Sequence, residues 1–433
     1  MANRYLLPKK LFPILITLTD GRVLPVSSLF SSFNIYENLF NNFISGNMVL
    51  VDTPETSLIQ QGLTGHGEEI SFSFAGVKEN GDAENEIKIK MYIYRISVGT
   101  LSSGSQGQPI TVFFSSKEFL KHETNNIQEK FEGKITDIIR IIAKRLNIEK
   151  LEIEESEQYI KRVFNYWNPF KIINSLSRQC GKGYNYNYIF YQTLDEIYKL
   201  ISIGTLFNKP SKFGTNSLNG FVVLMGFTSE ETSKYSCLHH IASTSSTPTN
   251  LHHGMIVSNV LTVDLLDKEY TQTYMNLADD WKKQSHLSKK PLVDFNSDYI
   301  KNISDSPSIT TTRYKSRYLF DCKETKENDL TKDGNDQVGG PRDWLLKRTS
   351  QIEQLNQTSV IFITAGNSEI RAGDVLFFGR PHQQYLSKKK KEKDWKYNGK
   401  YLCVSVKHSI SLGGNGLNYL TTVKAIKDSK GDE

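Results

Sequence analysis

Apolar and polar residues alternate along much of residues 10–122, a pattern that predicts β-strands with one buried face. The runs rich in β-branched and aromatic residues are 15–19, 22–25, 48–51, 70–74, 87–94 and 110–114. Asp20-Gly21 separates the first two runs, and an Asp-Gly pair in that position is a strong hairpin signal. Five or six strands of this kind predict a small barrel or sandwich.

The pattern changes to a helical period after residue 123. One helix face is formed by Ile135, Ile138, Ile139, Ile142 and Leu146. Asn168-Pro169 is typical of a second helix start, with Gly181 as its left-handed cap. Two strands, 184–192 and 197–201, follow around a turn at 193–196. This segment predicts an α/β unit with a helix followed by a hairpin.

Strand signals return in the second half and are less regular. They are 221–225, 255–265, 358–364, 370–378, 401–408 and 419–426, and Pro341 opens a helix before the third. Residues 275–340 are polar and turn-rich, and 323–340 are nearly devoid of apolar residues, which predicts a long inserted loop. Residues 45–52 and 258–264 share a short Ser-Asn and Val-Asp pattern, which is weak evidence for duplication.

These patterns predict an α+β, β-rich fold class with three domains. The expected domains are a β-domain at 1–122, an α/β helix-hairpin domain at 123–206, and a second β-domain at 207–433. The polar segment at about 275–340 is expected as an insertion in the second β-domain. A length of 433 residues fits several domains better than one core.

Composition and charge exclude several function classes. The net charge of +6 is spread over 53 basic and 47 acidic residues, whereas a nucleic-acid binder concentrates its basic excess. The one dense run, 388–393, is expected to be a solvated loop. The four cysteines have no metal-like spacing and are expected to be free thiols. No 18-residue apolar window predicts a membrane span, and the N-terminal residues resemble neither a signal peptide nor an anchor.

The chemistry-bearing residues do not form a known catalytic pattern. Cys237, His239, His240, His252 and His253 are the most suggestive metal ligands, but a polar loop separates them, so surface histidines are expected. His66 lies between two glycines that favour a turn. The adjacent Glu154 and Glu155 should diverge as solvated charges. The chain is therefore expected to have no catalytic, cofactor-binding or metal site and not to be an enzyme.

Three segments resemble the central baseplate hub proteins of contractile-tailed bacteriophages, the T-even-type tail hub family. The segments are 35–74, 167–176 with the hairpin that follows, and 351–378. The resemblance implies two tube-protein-like antiparallel β-barrel domains in each chain. Three chains would then present six barrels to a sixfold tail tube above and a threefold face to a central spike below.

The same resemblance implies the partners and the location. The partners would be two further copies in a homotrimer, the central spike, tail tube or tube-initiator proteins, the tape measure protein and baseplate wedge proteins. Double-stranded DNA would pass through the channel without specific binding. The protein would be assembled in the host cytoplasm and reside in the tail baseplate of the virion.

Two alternatives to the phage hub are open at this point. A baseplate-associated cell-wall hydrolase would need an acid in a cleft and a second carboxylate across it. A hub from a phage-derived injection machine would have the same fold, and neighbouring genes would separate it from a phage protein.

Overall fold

A computed structural model describes residues 10–11, 13–77, 83–100, 107–215, 220–223, 235–264, 269–293, 315–320, 341–380, 396–414 and 416–430. The segments 323–340 and 388–393 and most of 102–108, for which the sequence predicts loops, lie outside these ranges.

The first β-unit, residues 10–115, consists of strands with one face turned to a core. The strands are β1 (Lys10–Leu11), β2 (Leu15–Thr17), β3 (Val23–Pro25), β4 (Phe30–Asn38), β5 (Ser45–Asp52), β6 (Glu69–Val77), β7 (Ala83–Val98) and β8 (Gln108–Ser115), with a 3-10 turn at Ser27–Leu29. In β5 the buried side is Gly46, Met48 and Leu50, so every second residue faces the core. The predicted hairpin at Asp20-Gly21 is confirmed by the pairing of β2 with β3.

The α/β unit, residues 117–207, packs its helices against short strands. Its elements are α1 (Lys117–Thr124), β9 (Ile127–Lys134), α2 (Ile135–Arg145), β10 (Leu151–Ile153), β11 (Tyr159–Trp167), α3 (Pro169–Ser177), β12 (Tyr188–Gln192), β13 (Tyr198–Ser202) and α4 (Ile203–Phe207). The predicted apolar face of α2 is buried, and Asn147 follows with a positive φ of 59°. Gly181 is not the left-handed cap that the sequence predicted; Gly183 has the positive φ.

The second β-unit comprises residues 211–244 and 358–430, and an insertion, residues 247–355, lies between its parts. The unit contains β14 (Ser211–Phe213), β15 (Phe221–Val223), β16 (Tyr235–Thr244), β21 (Thr358–Ala365), β22 (Val375–Gly379), β23 (Gly399–Gly413), β24 (Gly416–Lys427) and β25 (Ser429–Lys430). The insertion contains α5 (Thr247–His252), β17 (Val257–Asp264), β18 (Glu269–Asn276), α6 (Leu277–Asp280), a 3-10 turn (Trp281–Lys283), β19 (Lys290–Pro291), β20 (Lys315–Phe320) and α7 (Pro341–Leu355).

One fifteen-stranded sheet runs through both β-units in the order β14-β22-β15-β16-β21-β24-β23-β4-β5-β8-β7-β6-β2-β3, with β1 on β6. In the second β-unit β22 also pairs with β23, so six strands close into a ring. In the first β-unit the sheet curls until Phe33 on β4 meets Phe72 on β6, with ring centroids 4.9 Å apart. The described residues of the first unit show no hydrogen-bonded closure.

The β-rich α+β class with an intervening α/β unit is confirmed, and two details of the second β-unit differ from the expectation. The second ring is mixed, because β15 pairs parallel with both β16 and β22. The strand predicted at 370–378 begins only at Val375, since residues 371–374 form a turn. The domain boundaries placed at 122 and 206 stay a prediction.

The two β-units repeat one topology. In chain order β4, β5, β6, β7 and β8 correspond to β16, β21, β22, β23 and β24. Both sets pair in the same antiparallel pattern, first with second, second with fifth, fifth with fourth, and fourth with third. The insertion stands where the first β-unit has only a short turn between β4 and β5.

Matching register shifts allow the two β-units to be aligned residue by residue. The β4–β5 register shifts between Phe30 and Ser32, and that of β16–β21 between Cys237 and His239. The β7–β8 register likewise shifts after Ile93, and that of β23–β24 after Cys403. Irregularities at equivalent places in both halves indicate a duplicated unit.

The segments 45–52 and 258–264, which the sequence suggested as an internal echo, are not equivalent. The first forms β5 inside the large sheet, whereas the second lies in β17, in a separate three-stranded sheet with β18 and β20. The strand that is equivalent to β5 in the second β-unit is β21.

Candidate functional site

The two β-units meet along a strand pair that we call the covered seam. Strand β23 pairs antiparallel with β4, from Ser405 opposite Asn38 to Ser411 opposite Ser32. The seam continues the hydrogen-bond ladder from one unit into the next. As a result β16-β21-β24-β23-β4-β5-β8-β7 form an eight-stranded, wholly antiparallel run, four strands from each unit.

A buried carboxylate lies at the centre of the junction. Glu37 on β4 is fully buried and accepts hydrogen bonds from the backbone N–H of Ala372, at 2.8 Å, and of Leu194, at 3.4 Å. These donors belong to the second β-unit and the α/β unit, so one side chain ties three parts of the chain together. Burial raises the pKa of Glu37 to about 8, although the Arg371 charge and the two backbone donors act to lower it.

Arg371, whose side chain is mostly buried, links two of these parts, the second β-unit and the α/β unit. Its guanidinium binds both carboxylate oxygens of Asp195, at 3.2 and 3.0 Å. Burial acts to lower the pKa of Arg371, but the hydrogen bond to Asp195 and the nearby carboxylates outweigh it and raise the pKa. This two-point geometry fixes the β12–β13 turn against the turn before β22.

A second set of bonds holds the α/β unit against the turn between β4 and β5. Asn42 and Asn174 bond each other through both amides, at 3.0 and 2.7 Å, and Asn42 also donates to the carbonyl of Phe190. The side-chain oxygen of Gln192 accepts from the backbone N–H of Ile44 at 3.0 Å. The α/β unit therefore braces the first β-unit.

Neither Glu37 nor Arg371 was singled out by the sequence as a functional residue. A usable signal was present, because Phe33, Ile35 and Glu37 occupy successive inward positions of β4. An acid on an otherwise apolar strand face must find donors when it is buried, yet the sequence does not show which donors.

The face of the eight-stranded run that points away from the cores of the two β-units, which we call the outward face, is mainly uncharged. Its described polar and charged residues outside the core are Ser32, Asn34, Asn38, Ser45, Asn47, Glu86, Lys88, Lys90, Arg95, Ser97, Thr111, His239, Ser243, Ser359, Lys400, Ser405, Lys407, Ser409, Ser411, Asn418, Thr422 and Lys424. Six of these residues are lysine or arginine, and one, Glu86, is acidic. Such a face offers hydroxyl and amide groups to whatever lies against it and only weak electrostatic attraction.

The suggested metal ligands are not brought together. Cys237 is buried inside the second ring, where burial raises its thiol pKa to about 12, whereas His239 is exposed. His252 and His253 are exposed at the end of α5, and His253 contacts Glu353 at 3.2 Å. Within the described ranges no three His, Cys, Asp or Glu side chains form a group that could hold a metal ion.

The other suggested residues have structural partners. His66 lies in a turn between two glycines with positive φ, and its backbone N–H donates to Glu68 at 2.7 Å. The carboxylates of Glu154 and Glu155 diverge as expected, but both hold local structure. Glu154 accepts from Ser202, and Glu155 from Thr136 and Arg140. None of the helices described is both long and apolar enough to cross a bilayer.

Comparisons with known proteins give matches of fold but not of sequence. No protein-family model matches the chain, and no curated protein does. A tail protein from Neisseria meningitidis MC58 matches with a TM-score of 0.53 at 8% identity, over 96% of this chain and 97% of that one.

Two weaker matches are a 43 kDa tail protein of prophage MuSo2 from Shewanella oneidensis and a chain of the lidded Francisella PdpA–VgrG complex. The prophage protein has a TM-score of 0.49 and 9% identity, over 96% of this chain and 98% of that one. The Francisella chain has a TM-score of 0.48 and 8% identity, over 98% of this chain and 53% of that one. The Neisseria match carries the conclusion: this chain has a tail-protein fold, as its resemblance to baseplate hubs predicted.

Proposed function

We propose that the chain is a structural protein of a phage-type tail baseplate, the homotrimeric hub between the tail tube and the central spike. The observation that carries the proposal is the repeated β-unit, joined in one chain by the covered seam. A trimer of such chains has six equivalent β-units and three identical chains. It can therefore match a sixfold ring on one side and a threefold spike on the other.

The dimensions of such a ring support a channel role. Three chains supply 24 strands, eight from each run. At about 4.8 Å between strands the ring has a circumference of about 115 Å and a backbone diameter of about 37 Å. After allowance for side chains, a bore of this width admits a DNA duplex.

The chemistry of the outward face suits the passage of DNA better than the binding of DNA. We place this face towards the channel, where DNA, and before it the tape measure protein, would slide past hydroxyl and amide groups. The lysine and arginine side chains of this face are spread over three strands, β7, β23 and β24, and the acid Glu86 lies among them. Tight binding to DNA needs many phosphate contacts by clustered basic residues.

The remaining partners follow from the position of a hub. Tail tube or tube-initiator proteins would sit on the face with six β-units, and the spike on the threefold face, while baseplate wedge proteins would contact the outside. The same role in a phage-derived injection machine would use the same surfaces.

The function proposed is mechanical and needs no catalysis by this chain. A zymogram on bacterial cell wall, with an active lysozyme as control, tests this point. Clearing by the purified chain would favour the hydrolase alternative, and no clearing is expected.

Light scattering on the purified chain, alone and with its spike, tests the assembly. The expected mass is three times the chain mass of 49.4 kDa. A chain that stays monomeric both alone and with its spike would refute the hub.

A further inference from the structure

We propose that neighbouring chains join by pairing the open edge of β7 with the open edge of β16, in the register of the covered seam. Ser97 of one chain then lies opposite Ser243 of the next. This inference rests on the trimer proposed above and names the surfaces that build it.

The repeat supplies the register. Arg95 follows the register shift in β7 as Ser405 does in β23, so residues 95–98 correspond to residues 405–408. Ser32 follows the shift in β4 as His239 does in β16, so residues 32–38 correspond to residues 239–245. In the covered seam Lys407 lies opposite Tyr36. The equivalent residues are Ser97 and Ser243.

Both edges lack the partner that their equivalents have. Among the described residues β7 pairs with β8 along 95–98 on one side only, and β16 pairs with β21 along 239–244 on one side only. An unpaired edge exposes backbone donors and acceptors and is normally protected or paired. Pairing the two edges in a ring leaves neither of them open.

The exposure of the side chains on the two edges also supports their pairing with a neighbouring chain. In the covered seam Val406 and His408 are fully buried, whereas at the equivalent places Ile96 is half-buried and Val98 is 43% exposed. On the partner strand Glu37 is fully buried and its equivalent, Thr244, is exposed. A second chain seated as in the covered seam would bury these edge residues.

The backbone of β7 is oriented for this pairing. The N–H of Gly99 donates to the carbonyl of Pro109 at 2.8 Å, so alternate residues back along β7, Ser97 and Arg95, also turn their backbone groups to β8. The backbone groups of Ile96 and Val98 therefore point to the open edge. Ser97 and Ser243 would then form a pair without mutual hydrogen bonds, in which the side chains lie close together.

Disulfide trapping tests the seam in the full chain. Cys322→Ser removes the one cysteine outside the described residues, and the other three are buried. In this background Ser97→Cys with Ser243→Cys should give covalent trimers on mild oxidation of the assembled protein, because such pairs suit disulfide geometry. Tyr36→Cys with Lys407→Cys is the matched control and should cross-link within one chain.

Three results would overturn the inference. A trimer by light scattering, with an oxidised 36/407 control but no 97/243 cross-link, refutes the seam and leaves the hub intact. Stronger cross-linking of Ser97→Cys with Ile241→Cys shows that the register is wrong. A chain that is monomeric even with its spike refutes the hub and the seam together. Ser97 and Ser243 are exposed, so their substitution by cysteine should leave the fold intact. Each single-cysteine variant should form a trimer without cross-links.

Discussion

Gly67 and Gly373 perform the same task in the two β-units. Each has a positive φ, 103° and 87°, and each donates its N–H over 2.8 Å to the carbonyl at the register shift, Ile93 in one unit and Cys403 in the other. An acid follows each glycine, Glu68 and Asp374, and binds the backbone of its own turn. The repeat thus extends from strand order to single hydrogen bonds.

Gly373→Ala should destabilise the protein more than Gly67→Ala. Both substitutions force an L-residue into a left-handed conformation, at a cost of about 1–2 kcal/mol. A Cβ at Gly373 would also lie 2.6 Å from the hydroxyl of Tyr191, whereas a Cβ at Gly67 meets nothing within 4 Å. Urea unfolding of both variants measures the difference, and equal losses would contradict the packing argument.

Stability should fall as pH rises towards 8, partly because of Glu37. Its pKa is about 8 in the folded chain against an ordinary 4.5, so the folded state holds the proton across this interval and the unfolded state releases it. The contribution of Glu37 is therefore favourable below pH 4.5 and is lost through pH 8. Glu37→Gln should flatten the fall. Urea midpoints from pH 5 to 9 test this, and an unchanged slope would contradict it.

Asn42 and Asn174 should be energetically coupled. Each amide bonds the other, so removing one leaves its partner unsatisfied in a half-buried site. A double-mutant cycle of Asn42→Ala and Asn174→Ala should give a coupling of about 0.5–3 kcal/mol. Simple additivity of the two losses would show that the pair does not hold the units together.

Asp428→Ala should be strongly destabilising. Asp428 is 2% exposed and bonds His286, whose ring stacks on Trp281 with centroids 3.5 Å apart, so the pair anchors the insertion to the end of β24. The substitution leaves the buried His286 ring and the Leu287 N–H without their acceptor, at about 1–3 kcal/mol for each unsatisfied group.

Lys283→Ala is the matched control for that pair. Lys283 bonds the carboxylate of Asp280 at 2.9 Å from a half-exposed position, so its loss should cost much less than that of the buried Asp428. Thermal unfolding of both variants gives the comparison. A loss from Asp428→Ala no larger than that of the control would show that the buried pair contributes little.

The sequence by itself determined the local elements. Alternation placed the strands of the first β-unit, the 3.6-residue period placed α2, Asn168-Pro169 placed the start of α3, and Asp20-Gly21 placed its hairpin. Each of these signals depends on neighbours within a few residues, so a single chain carries it. The turn motif of the repeat, Gly67-Glu68 and Gly373-Asp374, is also visible in the sequence. The sequence, however, suggests 45–52 and 258–264 as the repeated segments.

Only the tertiary structure decided how the halves join. The covered seam pairs Ser32 with Ser411, residues near opposite ends of the chain, and Glu37 finds its donors at Leu194 and Ala372. Strand pairing across such distances depends on which edges meet after each unit has formed its core, and residue patterns do not specify it. The open edges of β7 and β16 could be recognised only once the covered seam was known.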